Sequence, residues 1–209
     1  MPEMEQVERV YSHYAGFYDI LFDRVLDPGR KQAVELLGLK EGDRVLEIGI
    51  GTGLSLQYFP SCGSITGIDI SNAMLDETEE KVSQLGLRNV ELYRMDASRL
   101  DFPDDRFDKI LIPYVLSTVP HPRRVMDEAI RVAKPGARIA ILNHFGSRFR
   151  LFRGVEKILT PLTRRIGFRL DCPISTVSCR GDLQIERERR VNLLGLWRLL
   201  LCRIRQGSK

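Results

Sequence analysis

The chain has 209 residues, of which 43% are hydrophobic and 29% are charged. That length suits one domain with a full core and is short for two, and the composition is that of a folded globular protein rather than a disordered one. We therefore expect a single domain over residues 1–209.

The net charge of +4 conceals an asymmetry along the chain. Residues 1–110 hold 12 Lys or Arg and 21 Asp or Glu, whereas residues 111–209 hold 20 and 7. The first part therefore has a net charge of −9 and the second a net charge of +13. This division predicts that one part of the protein meets an anionic surface, either nucleic acid or membrane. The alternative is that the basic residues coat solvated faces.

The sequence carries no signal for export, membrane spanning or metal binding. The first ten residues, MPEMEQVERV, are too charged for a signal peptide, and no run of about 18 apolar residues predicts a transmembrane helix. The four cysteines form no CxxC pair and have no histidines at metal-ligand spacing, so we expect buried or incidental thiols in a reducing compartment and no metal site. These features favour an intracellular protein.

The first 40 residues predict two helices. Residues 4–26 repeat apolar and aromatic side chains at steps of three and four, which is typical of an amphipathic helix. A second, short helix is expected to begin at Pro28 and end at Gly38.

Strands and helices then alternate, which predicts an α/β protein with a parallel sheet. The expected strands are DRVLEIG, SITGIDI, NVELYRM, FDKILIPYV and ARIAILNHF. Between them we expect the helix SNAMLDETEEKVSQLGL, capped by Ser71, and the helix PHPRRVMDEAIRVAKPG, broken at Pro135 and Gly136. Further on, DLQIERERRV alternates like a strand, whereas LWRLLLCRIR fits either a strand or a helix.

A glycine-rich turn follows the first of these strands in VLEIGIGTG. Glycines there let the backbone turn sharply and approach a ligand closely, and Asp69, at the end of the next strand, can accept both ribose hydroxyls of an adenosine. The alternative is a tight turn without a ligand. Dinucleotide binding needs GxGxxG, but the third glycine position is Leu54 here, and Glu47 and the acidic N-terminal half suit a cationic cofactor. The spacing therefore favours S-adenosylmethionine.

Four motifs in order resemble those of the class I S-adenosylmethionine-dependent methyltransferases: VLEIGIGTG, GIDIS, RMDASRLDFPDDRFDKIL and VAKPGARIAIL. The resemblance implies a doubly wound, Rossmann-like sheet of seven strands in the order 3214576, with strand 7 antiparallel. It therefore implies strands for DLQIERERRV and LWRLLLCRIR. It also implies a cofactor site formed by Glu47, Gly49, Gly51, Gly53, Asp69, Ile70, Met74, Asp96 and Ala97.

The segment FGSRFRLFRGVEKILTPLTRRIGFR, residues 145–169, carries seven Lys or Arg residues and one Glu among Phe, Leu, Ile and Val. Its first part predicts a helix with one apolar face surrounded by cations, which is typical of a helix lying in a lipid interface. The alternative is a helix packed on the protein's own core. Since the chain contains no recognised nucleic-acid-binding module, we expect an anionic phospholipid membrane as the partner and no nucleic acid.

The combination of YAGFYDILFD, VLEIGIGTG and RRVNLLGLWRLL resembles the bacterial phosphatidylethanolamine N-methyltransferases. The resemblance implies methylation of phosphatidylethanolamine, through its mono- and dimethyl forms, toward phosphatidylcholine. It also implies a cytoplasmic enzyme, peripheral on the inner face of the cell membrane. The helices of residues 1–40 are expected to form a lid, and residues 145–170 a membrane-facing insertion.

Such a reaction needs groups that remove a proton from the amine and hold the lipid headgroup. His144 is a candidate base or orienting residue, with a purely structural role as the alternative. Tyr11, Tyr14 and Tyr18 can surround a methylated ammonium with their π faces or simply pack a helix, and by resemblance Tyr18 can close over the cofactor. The lipid phosphate needs a cation, for which the candidates are Arg148, Arg153 and Arg180.

Two rival functions fit the same sequence. The first is a quinone-ring C-methyltransferase of ubiquinone or menaquinone biosynthesis, which shares the fold and the cofactor. The second is a peripheral membrane protein that binds S-adenosylmethionine without catalysis.

Overall fold

The computed structural model describes residues 26–60, 63–145, 172–192 and 195–205. Two regions singled out in the sequence therefore lie outside the described residues. They are the aromatic stripe with Tyr11, Tyr14 and Tyr18, and most of the basic-apolar segment, with Arg148 and Arg153.

Seven strands, four α-helices and one short 3-10 helix, Leu56–Tyr58, make up the described structure. The strands are β1 (Arg44–Ile48), β2 (Ser64–Asp69), β3 (Val90–Arg94), β4 (Phe107–Pro113), β5 (Ala133–Asn143), β6 (Leu183–Val191) and β7 (Trp197–Ile204). The helices are α1 (residues 26–37), α2 (Asn72–Gln84), α3 (Pro122–Val132) and the single turn α4 (Ser175–Ser178).

The strands form one sheet in the order β3-β2-β1-β4-β5-β7-β6. Strands β1 to β5 are parallel to one another, and β7 runs antiparallel to both β5 and β6. This arrangement confirms the predicted α/β fold, including the strand order 3214576 and the antiparallel seventh strand.

The ambiguous last segment is a strand because both of its faces are buried. Leu199 and Leu201 pack into the core on one side of the sheet, while Leu200, Cys202 and Ile204 pack on the other side. A strand that has a neighbour on each side and is buried on both faces has a continuous apolar sequence. Such a sequence also contains apolar residues at helical spacing, which is why a helix could not be distinguished from a strand.

The helix boundaries differ from the predicted ones at two places. The helix before the Lys-Pro-Gly turn ends at Val132, and β5 begins at Ala133, which pairs with Phe107. A register shift then brings Arg138 opposite Lys109, so the turn is absorbed as an irregularity in the strand. Pro28 lies within α1 instead of opening it, because residues 26 and 27 are already helical.

Two other predicted boundaries are confirmed. The Ser71 side chain caps α2 by accepting a hydrogen bond from the Met74 N–H. Gly38 follows the end of α1 with a φ of 60°, the left-handed conformation typical of a helix C-terminus.

The core lies in two layers, one on each face of the sheet. One contains α3 with the inward side chains of β4, β5 and β7, and the other contains α1 and the apolar side of α2. Within the described ranges, no helix has the length and apolar character needed to cross a bilayer.

Candidate active site

Four parallel strands bring their carboxyl ends to one edge of the sheet, which we call the carboxyl edge. The strand register aligns these ends. Leu111 of β4 pairs with both Glu47 of β1 and Ala140 of β5, and Glu47 pairs with Gly67 of β2. The glycine turn, Asp69, Tyr114 and His144 therefore all follow neighbouring strands at this edge. In an open α/β sheet this is where ligands bind.

The glycine turn after β1 is held to the adjacent strand by its backbone. The N–H groups of Gly49 and Ile50 both donate to the Ile68 carbonyl, at 2.8 and 2.9 Å. Gly49 has a φ of 71°, and a Cβ atom there would lie 2.3 Å from a methyl group of Val115. Only glycine fits this position.

Gly51 also has a left-handed φ, of 58°, but a Cβ atom there would meet nothing within 4 Å. The tip of the turn thus faces open space, while its base is tightly packed. The Thr78 hydroxyl donates to the Gly51 carbonyl at 2.5 Å, so α2 braces the turn from below. The result is a rigid backbone surface with room above it for a ligand.

Asp69 ends β2 with its carboxylate fixed by the backbone. Its Oδ2 accepts the Gly51 N–H and its Oδ1 accepts the Ser71 N–H, each at 3.0 Å. Burial raises the pKa of Asp69, and these backbone donors oppose the rise. Each oxygen can accept a second hydrogen bond, which suits two ribose hydroxyls.

Glu47 lies beneath the glycine turn with 1% of its surface exposed. The Ser55 hydroxyl lies 2.6 Å from both carboxylate oxygens. Burial raises the pKa of Glu47 to about 8, while the Ser55 hydrogen bond and the charge of Arg30 act in the opposite direction. A cationic ligand next to Glu47 would favour the ionised form of this carboxyl group.

The remaining predicted cofactor residues border the same part of the edge. Asp96 follows β3 with a half-buried side chain, and its Oδ1 accepts the Ser98 N–H at 2.8 Å. The Met95 N–H just before it donates to the Asp69 carbonyl at 2.8 Å, which ties the two acidic positions together. Ala97 packs against the core next to Asp96, while Ile70 and Met74 lie between the end of β2 and the first turn of α2.

His144 follows β5 at the carboxyl edge, two strands away from the glycine turn. Its Nδ1 lies 3.0 Å from the Leu196 carbonyl, and its ring meets the Trp197 ring edge to face at 6.1 Å. Because a carbonyl oxygen can only accept, Nδ1 carries the hydrogen, and in the neutral ring Nε2 is the nitrogen with the lone pair. The geometry therefore permits His144 to accept a proton through Nε2.

Arg180 is not brought to this edge. It precedes β6, at the amino-terminal ends of the parallel strands, opposite the carboxyl edge. At 3.3 Å per residue it lies about 20 Å from His144 along the strand direction. Its guanidinium group pairs with Asp127 at 2.7 Å and with Asp182 at 3.2 Å. The described contacts thus give Arg180 a structural role between α3 and the start of β6.

A polar cluster at the carboxyl edge, formed by Asp27, Arg30, Tyr58, Tyr114 and Asn192, was not found from the sequence. Tyr114 has a φ of 63°, and its hydroxyl donates to the Leu26 carbonyl at 2.6 Å and accepts from Asn192 Nδ2 at 2.9 Å. The Arg30 guanidinium lies over the Tyr114 ring, and the Tyr58 hydroxyl donates to Asp27. The left-handed backbone of a non-glycine residue after β4 is the kind of strain found at functional sites.

The described residues fit S-adenosylmethionine. Open space lies above Gly51, the Asp69 carboxylate is fixed at the end of β2, and a buried acidic group lies below the turn. The fold and this edge together define the class. It is a Rossmann-like protein that binds an adenosine cofactor with a positive charge and no phosphate groups.

Comparisons with known proteins agree with this class. Residues 46–141 match the family described as a methyltransferase domain. Phosphatidylethanolamine N-methyltransferase of Cereibacter sphaeroides is 37% identical over 199 residues, covering 95% of this chain and 97% of that protein. The chain belongs to the class I S-adenosylmethionine-dependent methyltransferases, and S-adenosylmethionine is its cofactor.

Two more distant proteins show the breadth of the family. Ubiquinone/menaquinone biosynthesis C-methyltransferase UbiE of Pseudomonas savastanoi pv. phaseolicola is 35% identical over 148 residues, which cover 66% of this chain and 57% of that protein. The crystal structure of an S-adenosylmethionine-dependent methyltransferase from Methanosarcina mazei is 25% identical with a TM-score of 0.62, covering 80% of this chain and 94% of that one.

Proposed function

We propose that this enzyme transfers methyl groups from S-adenosylmethionine to the amine of phosphatidylethanolamine and its mono- and dimethyl forms, at a membrane surface. The observation that carries the proposal is the full-length similarity to the Cereibacter sphaeroides enzyme, which is named a phosphatidylethanolamine N-methyltransferase. That similarity covers 95% of this chain, whereas the methyltransferase-domain family model matches only residues 46–141.

For this reaction the protein must position the lipid amine against the cofactor and remove a proton from the amine. When bound, the cofactor supplies a methyl group already activated on a sulfonium. An ammonium headgroup has no electron pair to attack with, so it must first lose a proton. We propose that His144 accepts this proton through Nε2, held in the correct tautomer by the Nδ1–H donated to the Leu196 carbonyl.

We assign the cofactor residues the roles that the family resemblance implies. Asp69 would hold the ribose hydroxyls and Asp96 the adenine amino group, and Gly51 would let the backbone approach the cofactor. Tyr11, Tyr14, Tyr18, Arg148 and Arg153 remain predictions, since they lie outside the described residues.

The experiment compares acceptors under one set of conditions. Purified enzyme is incubated with labelled S-adenosylmethionine and vesicles that contain either phosphatidylethanolamine or a demethylated quinol in phosphatidylglycerol. We expect label in the mono-, di- and trimethylated lipids. Transfer to the quinol without transfer to the aminolipid would contradict the proposal.

The same assay tests His144. Replacing it by glutamine, H144Q, should lower kcat by roughly 100-fold near neutral pH, because general base catalysis contributes a factor of this order. The deficit should shrink at higher pH, where more of the lipid amine is already neutral. A deficit that is constant across the pH range would indicate a structural role for His144 instead.

The quinone-ring C-methyltransferase is the second candidate, and the UbiE similarity is the observation that favours it. That match leaves a third of this chain uncovered and spans 57% of the relative, so it reflects the shared cofactor domain more than the acceptor side. A carbon nucleophile would also need no proton removed from an ammonium group.

A further inference from the structure

Arg30 is a cation at the carboxyl edge for which the motifs of the sequence provide no role. It lies in the described part of α1, residues 26–37, which runs antiparallel to β1 because only residues 38–43 connect the two. Leu26 and the residues next to it are therefore at the carboxyl edge, as the hydrogen bond from Tyr114 to the Leu26 carbonyl requires.

Three contacts fix the position of this part of α1. The Tyr58 hydroxyl, just after the glycine turn, donates to Asp27. A Cβ atom on Gly29 would lie 2.7 Å from Asn192 Oδ1 and 2.9 Å from the Tyr114 hydroxyl, so the helix backbone touches both side chains. The Arg30 guanidinium carbon is 5.2 Å from the centroid of the Tyr114 ring, stacked over its face.

The order of the strands determines which part of the cofactor meets this cluster. Asp96 follows β3 and Asp69 ends β2, so these residues would hold the adenine and the ribose at the first two positions of the order 3-2-1-4. The amino-acid tail of the cofactor would then point over β1 toward β4, about 10 Å from Asp69 at 4.8 Å per strand. Glu47 of β1 and the stacked pair of Arg30 and Tyr114 occupy that end.

The charges at this end match those of an α-amino acid. The tail carries an ammonium and a carboxylate on the same carbon. This end of the site has two acidic groups, Glu47 and Asp27, and one guanidinium group, that of Arg30. A guanidinium group binds a carboxylate through two parallel hydrogen bonds, and stacking on an aromatic ring orients it for this purpose.

We propose that Arg30 binds the carboxylate of the amino-acid tail of S-adenosylmethionine, with Tyr114 orienting the guanidinium group. The proposal rests on the assignment of the carboxyl edge as the cofactor site, and it does not depend on which acceptor is methylated. The phosphate of a lipid headgroup is the other oxyanion that the same guanidinium can bind, and the test separates the two.

The test measures binding instead of turnover. S-adenosylhomocysteine contains the amino-acid tail, whereas 5′-methylthioadenosine has the same nucleoside and sulfur without the tail. By calorimetry, replacing Arg30 with glutamine, R30Q, should weaken S-adenosylhomocysteine binding by about 10- to 100-fold, the range for a lost hydrogen bond to a charged group. The affinity for 5′-methylthioadenosine should change by less than about 3-fold.

Lys31 provides the matched control, since it is the next residue on α1, is exposed and carries the same charge. The K31Q variant should bind both ligands like the wild type. If R30Q is poorly folded, R30K preserves the charge without the paired donors and should still discriminate between the ligands in the same direction.

Other outcomes would overturn the proposal. Equal weakening of both ligands would place the effect of R30Q in the nucleoside site or the fold. Unchanged S-adenosylhomocysteine affinity with a raised half-saturating concentration of phosphatidylethanolamine would assign Arg30 to the lipid phosphate. A wild type that methylates no aminolipid but shows the expected discrimination would contradict the proposed acceptor and leave this inference standing.

Discussion

The buried carboxyl group of Glu47 makes the stability of the fold depend on pH. This group is inside the protein, and burial raises its pKa to about 8 from the ordinary 4.5. The folded state therefore holds a proton that the unfolded state releases between pH 4.5 and 8. Stability falls with rising pH over this interval, because the unfolded state binds fewer protons there.

Replacing Glu47 by glutamine should remove this pH dependence. At pH 8.5 we expect E47Q to be more stable than the wild type by on the order of 4 kcal/mol, since an ionised carboxylate is no longer buried, and to be close to it at pH 5. Urea unfolding at several pH values measures the difference. The variant should also bind S-adenosylmethionine more weakly, because a cationic ligand loses its counter-charge.

An exposed carboxylate on α2, Glu79, offers the control. The E79Q variant removes the same charge from the surface and should follow the wild-type stability profile. Parallel pH profiles for E47Q and the wild type would contradict this explanation of Glu47.

At the scale of elements, the glycine turn depends on α2. Thr78 is fully buried, and its hydroxyl is closer to the Gly51 carbonyl, at 2.5 Å, than to the Met74 carbonyl of its own helix, at 2.9 Å. Its methyl group also lies against Gly53. The helix therefore sets the shape of the turn that the cofactor approaches.

Replacing Thr78 by valine keeps the shape and removes the donor. T78V should lower the free energy of unfolding by about 1 kcal/mol and weaken S-adenosylhomocysteine binding by several fold, since the Gly51 carbonyl loses its partner. T78S preserves the hydroxyl and should restore binding, although it loses the methyl contact. If T78V and T78S bind the ligand equally well, the hydroxyl does not support the turn.

At the scale of the whole molecule, the strand order converts the charge asymmetry of the sequence into a spatial one. The acidic early segment forms β1 to β3 and α2 at one end of the sheet, and the basic late segment forms β6 and β7 at the other. Exposed arginines at positions 187, 189 and 190 lie along β6, the edge strand. Charges on an edge strand also discourage pairing with another sheet.

The carboxyl edge must face the membrane if the proposed acceptor is a lipid. Leu196 lies at that edge beside His144, with 49% of its surface exposed. Leu85, at the end of α2, is similarly exposed at 44% but lies at the opposite edge of the sheet. The two leucines thus form a matched pair for testing orientation.

We expect L196Q to weaken binding to phosphatidylethanolamine–phosphatidylglycerol vesicles by about 3- to 10-fold, measured by vesicle sedimentation, because one apolar contact with the interface is lost. L85Q should bind like the wild type. Binding of all three should fall when salt is raised from 0.05 to 0.5 M or when the anionic lipid is omitted. Equal effects of the two substitutions would contradict the orientation.

The sequence by itself determined the cofactor class and the fold. VLEIGIGTG and GIDIS are local signals, because a strand, a turn and the residue after the next strand are all specified within a few positions of each other. Glu47, Gly49, Gly51 and Asp69 therefore lie where their spacing predicts, and the alternation of strands and helices predicted the parallel sheet.

Only the tertiary structure decided the composition of the polar cluster and the place of Arg180. Arg30, Tyr114 and Asn192 are separated by about 80 residues at each step, and no local pattern joins them. They meet because α1 runs back across the sheet and because β4 and β6 end at the same edge. Arg180 is equally basic in the sequence, but the direction of β6 carries it to the other edge, where two aspartates neutralise it.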